Sequence, residues 1–323
     1  MVTPLPESEI PPAKPLRIGI LDTARGVALL AMASYHFTWD LEFFGYLEPG
    51  TATQGLWKLY ARAIASSFIF MAGVSLVLAH YPTLRLQSFF RRLGMVVAAA
   101  IAITVATAIA TPQGMVFFGI LHNIAAASLI GLLFLRLPPA LTILAAVSAI
   151  TLPNIYRSDI FDAPYLLWVG LSQRLPRSND YVPILPWIGA FLFGMATARI
   201  ARSAGWFGTL ASLPAGPAIL RWGGRHSLLV YLLHQPLLIA VVYLTSIIAP
   251  PQKADPIQSY LQSCETACRN EGSQAAICSR FCACTMDKLM EQSLFEPLQS
   301  GAIQPDQDER VLQLARECTA VSQ

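Results

Sequence analysis

The first 263 residues contain no cysteine; all six lie within the last 60. Charge is scarce as well: Asp, Glu, Lys and Arg make up 13% of the chain, where a soluble domain carries about 25%. With 54% apolar residues and a mean hydropathy of +0.52, the composition excludes an ordinary water-soluble globule. There is no long basic run, and the net charge is only +3, which argues against nucleic acid as a partner. Residues 1–16 are proline-rich (Pro4, Pro6, Pro11, Pro12, Pro15) and lack an apolar stretch. They therefore read as a disordered cytoplasmic arm without a cleavable signal, leaving targeting to the first apolar span. No C-x-x-C dithiol occurs.

What is present is a run of apolar segments long enough, at about 20 residues, to cross hydrocarbon. Seven are expected, at 24–45, 59–80, 94–111, 117–135, 138–155, 183–201 and 226–248, with 158–173 as a re-entrant or interfacial helix. The expected fold is all-α: a polytopic transmembrane bundle over residues 17–249, followed by a small stapled helical domain over 250–323. Eleven Lys and Arg residues gather on one side of this scheme and five on the other before the tail, so the richer side is cytoplasmic. Seven crossings then put the C-terminal tail outside, where clustered cysteines can oxidise. Small residues of the second span (Ala63, Ala65, Ser66, Ser67, Gly73) would permit close helix contacts and a homodimer.

In the tail, Cys264-x3-Cys268 and Cys278-x3-Cys282 place each pair on one helical face. A hairpin turning near Gly272 would join Cys264 to Cys282 and Cys268 to Cys278, leaving Cys284 to tie a third helix through Cys318. Six cysteines allow about fifteen connectivities, and a four-thiolate zinc site is the alternative. A domain this small needs such staples because its core is small.

Ionisable groups inside a membrane are costly and mark functional sites. The first span holds Asp22 and Arg25 at its start, then His36 and Asp40. His36 lies about 16 Å along the helix from Arg25, and Asp40 stands one turn further on the same face. A carboxylate there can orient the imidazole and stabilise its protonated form, as a general base requires. His122 lies about 21 Å from Arg136, and His234 about 13 Å from Arg225, so three histidines can meet in one bundle. Asn123 and Gln235 adjoin two of them, and Pro236 loosens the last helix there. Singly, His122 and His234 could equally be satisfied interhelical hydrogen-bonders. Arg25, Arg91, Arg92, Arg199 and Arg225, with Asn123, are candidates for holding a nucleotide's phosphates; as topology anchors the arginines need no such role. No metal site is expected.

The stretch LDTARGVALLAMASYHFTWDL (21–41) resembles the first transmembrane helix of the transmembrane acyltransferase superfamily. It is most similar to bacterial proteins with a heparan-alpha-glucosaminide N-acetyltransferase-like catalytic domain. ARAIASSFIFMAGVSLVLA (61–79), GILHNIAAASLIGLL (119–133), LPWIGAFLFGMATAR (185–199) and GRHSLLVYLLHQPLL (224–238) extend the likeness over roughly residues 16–240. The resemblance implies a multi-pass enzyme of the bacterial inner membrane. It would take an acetyl group from cytoplasmic acetyl-CoA and pass it to a periplasmic or surface glycan or glycolipid, with membrane lipid around it. His36 would be the base, or the transient acyl carrier. Two other classes remain open on the residues alone: a proton-coupled transporter using His36, His122 and His234, and a non-catalytic anchor that presents the tail.

Overall fold

The computed structural model describes residues 18–251 and 255–322; the expected arm at 1–16 lies outside them. Thirteen α-helices and no strand occur among the described residues. The first nine are α1 (Gly19–Phe43), α2 (Gly55–His80), α3 (Leu86–Ala110), α4 (Ile120–Phe134), α5 (Pro139–Ile155), α6 (Ile184–Ser203), α7 (Trp206–Ser212), α8 (Ala218–Arg225) and α9 (Ser227–Ile248). The tail forms α10 (Pro256–Asn270), α11 (Ala275–Glu291), α12 (Phe295–Gln299) and α13 (Glu309–Ser322).

Four helices, α2, α3, α6 and α9, are long and apolar enough to cross a membrane on length and composition. α1 has the length, at 25 residues, but carries Asp22, Arg25, Asp40 and Glu42. α4 and α5 are apolar but only 15 and 17 residues long. Both pack on α6, where an aliphatic and aromatic core gathers around Phe191, Met195 and Ile69. α2 and α6 approach at backbone distance. A Cβ on Gly73 would strike the Phe191 carbonyl, and one on Gly194 the Phe70 carbonyl. Gly73 is therefore used for packing within the chain.

The segment expected to be one interfacial helix at 158–173 is instead two 3₁₀ turns, Asp159–Asp162 and Leu167–Val169. The loop is wound around a carboxylate: Asp162 accepts from the Ser172 hydroxyl (2.6 Å) and the N–H groups of Gln173 (2.9 Å) and Arg174 (3.2 Å). These bonds hold its carboxyl below the usual range.

By packing, the chain falls into two units. Among the described residues, one joins those up to Met32 with Arg62–Leu233; the other joins Ala33–Ala61 with those from His234 onward. α1 and α9 each contribute to both. In the second unit all six cysteines are paired, as Cys264–Cys282, Cys268–Cys278 and Cys284–Cys318. That is the pairing the i, i+4 spacing favours, and it leaves no thiolate for zinc. Leu289, Leu294, Val311 and Leu314 form the small core between them. Replacing Cys284 and Cys318 together by alanine should lower the tail's stability. A bridge across 34 residues contributes about 4 kcal/mol by restricting the unfolded chain, and pulse proteolysis of the oxidised full-length protein would measure the loss.

Candidate active site

In the second unit, the end of α1 and the α9 residues from His234 onward place four polar side chains together. The rings of His36 and His234 meet edge to face, with centroids 4.9 Å apart, and the Tyr35 and His36 rings do so at 5.6 Å. Asp40 follows His36 by one helical turn and is completely buried. Its Oδ1 accepts from Gln235 Nε2 at 2.7 Å, so the carboxylate is held by the residue beside His234. Asp40 Oδ2 and Gln235 Oε1 are buried without a hydrogen-bond partner among the described residues. Unused acceptors are rare in a folded interior, and each of these two oxygens can still accept an N–H or O–H.

Beyond Asp40, the same unit builds a tight collar. Glu42 accepts from the N–H groups of Gly50 (2.6 Å) and Ala52 (2.7 Å), and Tyr46 donates to the Ala249 carbonyl (2.6 Å). The chain leaving α1 is thereby folded back on a carboxylate, which steadies the helix turn that carries Asp40.

The first unit contains a cavity of about 550 Å³. Asp22, Arg25, Ser75, Arg92, Arg225 and His226 supply its polar wall; Phe68, Met71, Met95, Ile124 and Leu228 are among its apolar lining. Asp22 is buried and ties two arginines: Oδ1 takes Arg25 at 3.1 Å and Oδ2 takes Arg225 at 3.4 Å. Arg25 also donates to Ser75 Oγ at 2.6 Å. Three guanidinium groups thus stand against one carboxylate, a surplus of positive charge that fits a ligand bearing several phosphate charges.

Other sequence candidates lie elsewhere. Arg91 is exposed on α3 and does not line the cavity. Arg199 donates to the Leu137 carbonyl and covers the Tyr81 ring at 4.7 Å. Asn123 is fully buried and donates to the carbonyls of Val182 (3.2 Å) and Pro183 (2.8 Å). His122 has both ring nitrogens engaged: Nδ1 accepts from Gly119 N–H at 3.2 Å, and Nε2 meets the Thr104 hydroxyl at 3.2 Å. Because that hydroxyl gives its own proton to the Val116 carbonyl (2.7 Å), Nε2 is the protonated nitrogen. The sequence marks Gln235 only by its adjacency to His234, and carries no signal for Ser75 or His226 as site residues.

Next to His122, Asp180 accepts from Ile120 N–H at 3.0 Å at the start of α4. Burial pushes its carboxyl up to about 6, from an ordinary 3.8. The folded form therefore holds this proton more tightly than the unfolded chain does. Its contribution to stability should be full below pH 3.8 and be lost as pH rises through 6. Asp180→Asn should flatten that part of the pH–melting profile, which a thermal-shift series would detect.

The family model described as "Heparan-alpha-glucosaminide N-acetyltransferase, catalytic" matches residues 17–236, more than half of the chain. No curated protein and no solved structure matches.

Proposed function

Since the chain belongs to the heparan-alpha-glucosaminide N-acetyltransferase catalytic-domain family, and is on that ground a membrane acetyltransferase, we propose that it transfers the acetyl group of acetyl-CoA to a glycan or glycolipid acceptor. The observation that carries this reading is His36 against His234, with Asp40 held by Gln235. In the proposed reaction His36 takes the proton from the acceptor's hydroxyl or amine as that atom attacks the thioester carbonyl. The C–S bond breaks, and the leaving thiolate receives the proton back from His36. If His36 itself attacks first, it carries the acetyl group as an acyl-imidazole until the acceptor displaces it. His234 flanks the ring, and Asp40 offers its open oxygen to the acceptor or to the imidazolium.

Arg25, Arg92 and Arg225 would hold the donor's phosphates, with Asp22 fixing two of them. The donor chemistry fits these residues, because coenzyme A carries a diphosphate and a further phosphate and guanidinium groups bind such oxygens in pairs. His122 is assigned to bracing the start of α4, since both its nitrogens are occupied. That weakens the relay of three histidines a proton-coupled transporter would need.

The proposed setting is a bacterial inner membrane crossed seven times, with α1, α4 and α5 crossing as well. The domains proposed are a catalytic one over 17–249 and a periplasmic tail over 250–323. His36→Ala should lower turnover by about 10²-fold or more while leaving coenzyme A affinity unchanged. Arg25→Gln should instead weaken donor binding by about tenfold. Calorimetry with coenzyme A and transfer assays with labelled acetyl-CoA separate the two; normal turnover in His36→Ala would remove the imidazole from the mechanism.

A further inference from the structure

Helices α6 and α9 are both long and apolar enough to span a bilayer, and residues 204–226 join the end of one to the start of the other. The joining segment must therefore run along one membrane face. It contains α7 and α8, and α8 presents two different surfaces. Its inner one lies on α1 at backbone distance: a Cβ on Gly26 would strike the Leu220 carbonyl, and one on Gly224 the Asp22 carbonyl. That approach is what brings Arg225 to Asp22. On the outer one, Ile219 and Trp222, three residues apart and hence on one face, are 77% and 56% exposed. Trp206 and Leu213 are exposed in the same segment, at 54% and 44%.

Apolar side chains this bare need an apolar neighbour, and a tryptophan at such a place suits the boundary between headgroups and acyl chains. Charge selects the kind of lipid. From Tyr181 to Ala254 the sequence has no Asp or Glu; Arg199 and Arg225 are engaged at Leu137 and Asp22, while Arg202 is exposed at the end of α6 and Arg221 lies on α8. We propose that the outer face of α8 is a docking surface for anionic phospholipid, with Ile219 and Trp222 sunk below the headgroups; Arg202, which gives one N–H to the Tyr81 carbonyl, and Arg221, whose Nε is buried, turn their remaining guanidinium N–H groups to the phosphates.

All six native cysteines are in disulfides, so Ile219→Cys in the full-length protein takes a single bimane label. In nanodiscs of mixed phosphatidylcholine and phosphatidylglycerol, nitroxide on carbon 5 of the lipid should quench the label, and aqueous iodide should not. Nitroxide phosphatidylglycerol should be preferred over nitroxide phosphatidylcholine by about fivefold for each engaged arginine. Arg202→Gln with Arg221→Gln should abolish that preference and keep the depth. Trp222→Glu should restore iodide access. Free iodide quenching of the label in the otherwise native chain would overturn the proposal. So would equal quenching by the two lipids, or shielding that vanishes at one chain per disc, which would mean that a second copy covers the face.

Discussion

Polar groups withdrawn from water must find partners inside the chain, and this constraint governs nearly every contact around the two candidate sites. Asp22 shows it most plainly. A buried carboxylate with one partner would be costly, and here it holds two arginines on different helices. Exposed ion pairs contribute at most about 1 kcal/mol, whereas stripping one partner from a buried pair costs about 3–5 kcal/mol. The link between α1 and α8 is therefore set by that carboxylate and by the glycines that let the backbones close on it. Arg199 and Arg202 obey the same rule at Leu137 and Tyr81, as each donates to a carbonyl there.

Groups that remain incompletely satisfied are correspondingly informative. Asp40 and Gln235 spend one bond on each other and keep an oxygen each in reserve. The three arginines of the cavity face a single carboxylate. Spare acceptors beside a histidine pair, and spare positive charge around a cavity, are what an acetyl transfer between a phosphate-rich donor and a hydroxyl or amine acceptor would use. His122 and Asp162 are the contrast: their bonding capacity is consumed locally, and they hold loops in place.

Several features were legible before any coordinates. The i, i+4 spacing favoured Cys264–Cys282 and Cys268–Cys278 as facing pairs of a helical hairpin, and Cys284–Cys318 was the pair that remained. Helices α2 and α9 appear close to their expected limits, since long apolar runs have no other stable form in lipid. The region 158–173 was misread because its apolar residues suggested a helix, while Asp162 and Ser172 bend it into turns through contacts ten residues apart. α7 and α8 escaped notice because Gly205, Gly208, Pro214, Gly216 and Pro217 break the periodicity that signals a helix.

The order of residues along the chain by itself determined an all-helical membrane protein with a stapled end, and it placed Arg25, His36 and Asp40 on one helix. Helical period and hydrophobicity are local properties, so they can be read from neighbours a few positions away. Which histidine would face His36, that Gln235 would hold Asp40, and that Arg225 rather than Arg199 would join Arg25 at Asp22 were decided only in the tertiary structure. Those choices depend on the rotation of helices 195 and 203 residues apart in sequence, and such rotation is fixed by packing, at close approaches such as Gly26 on Leu220, that no local pattern encodes.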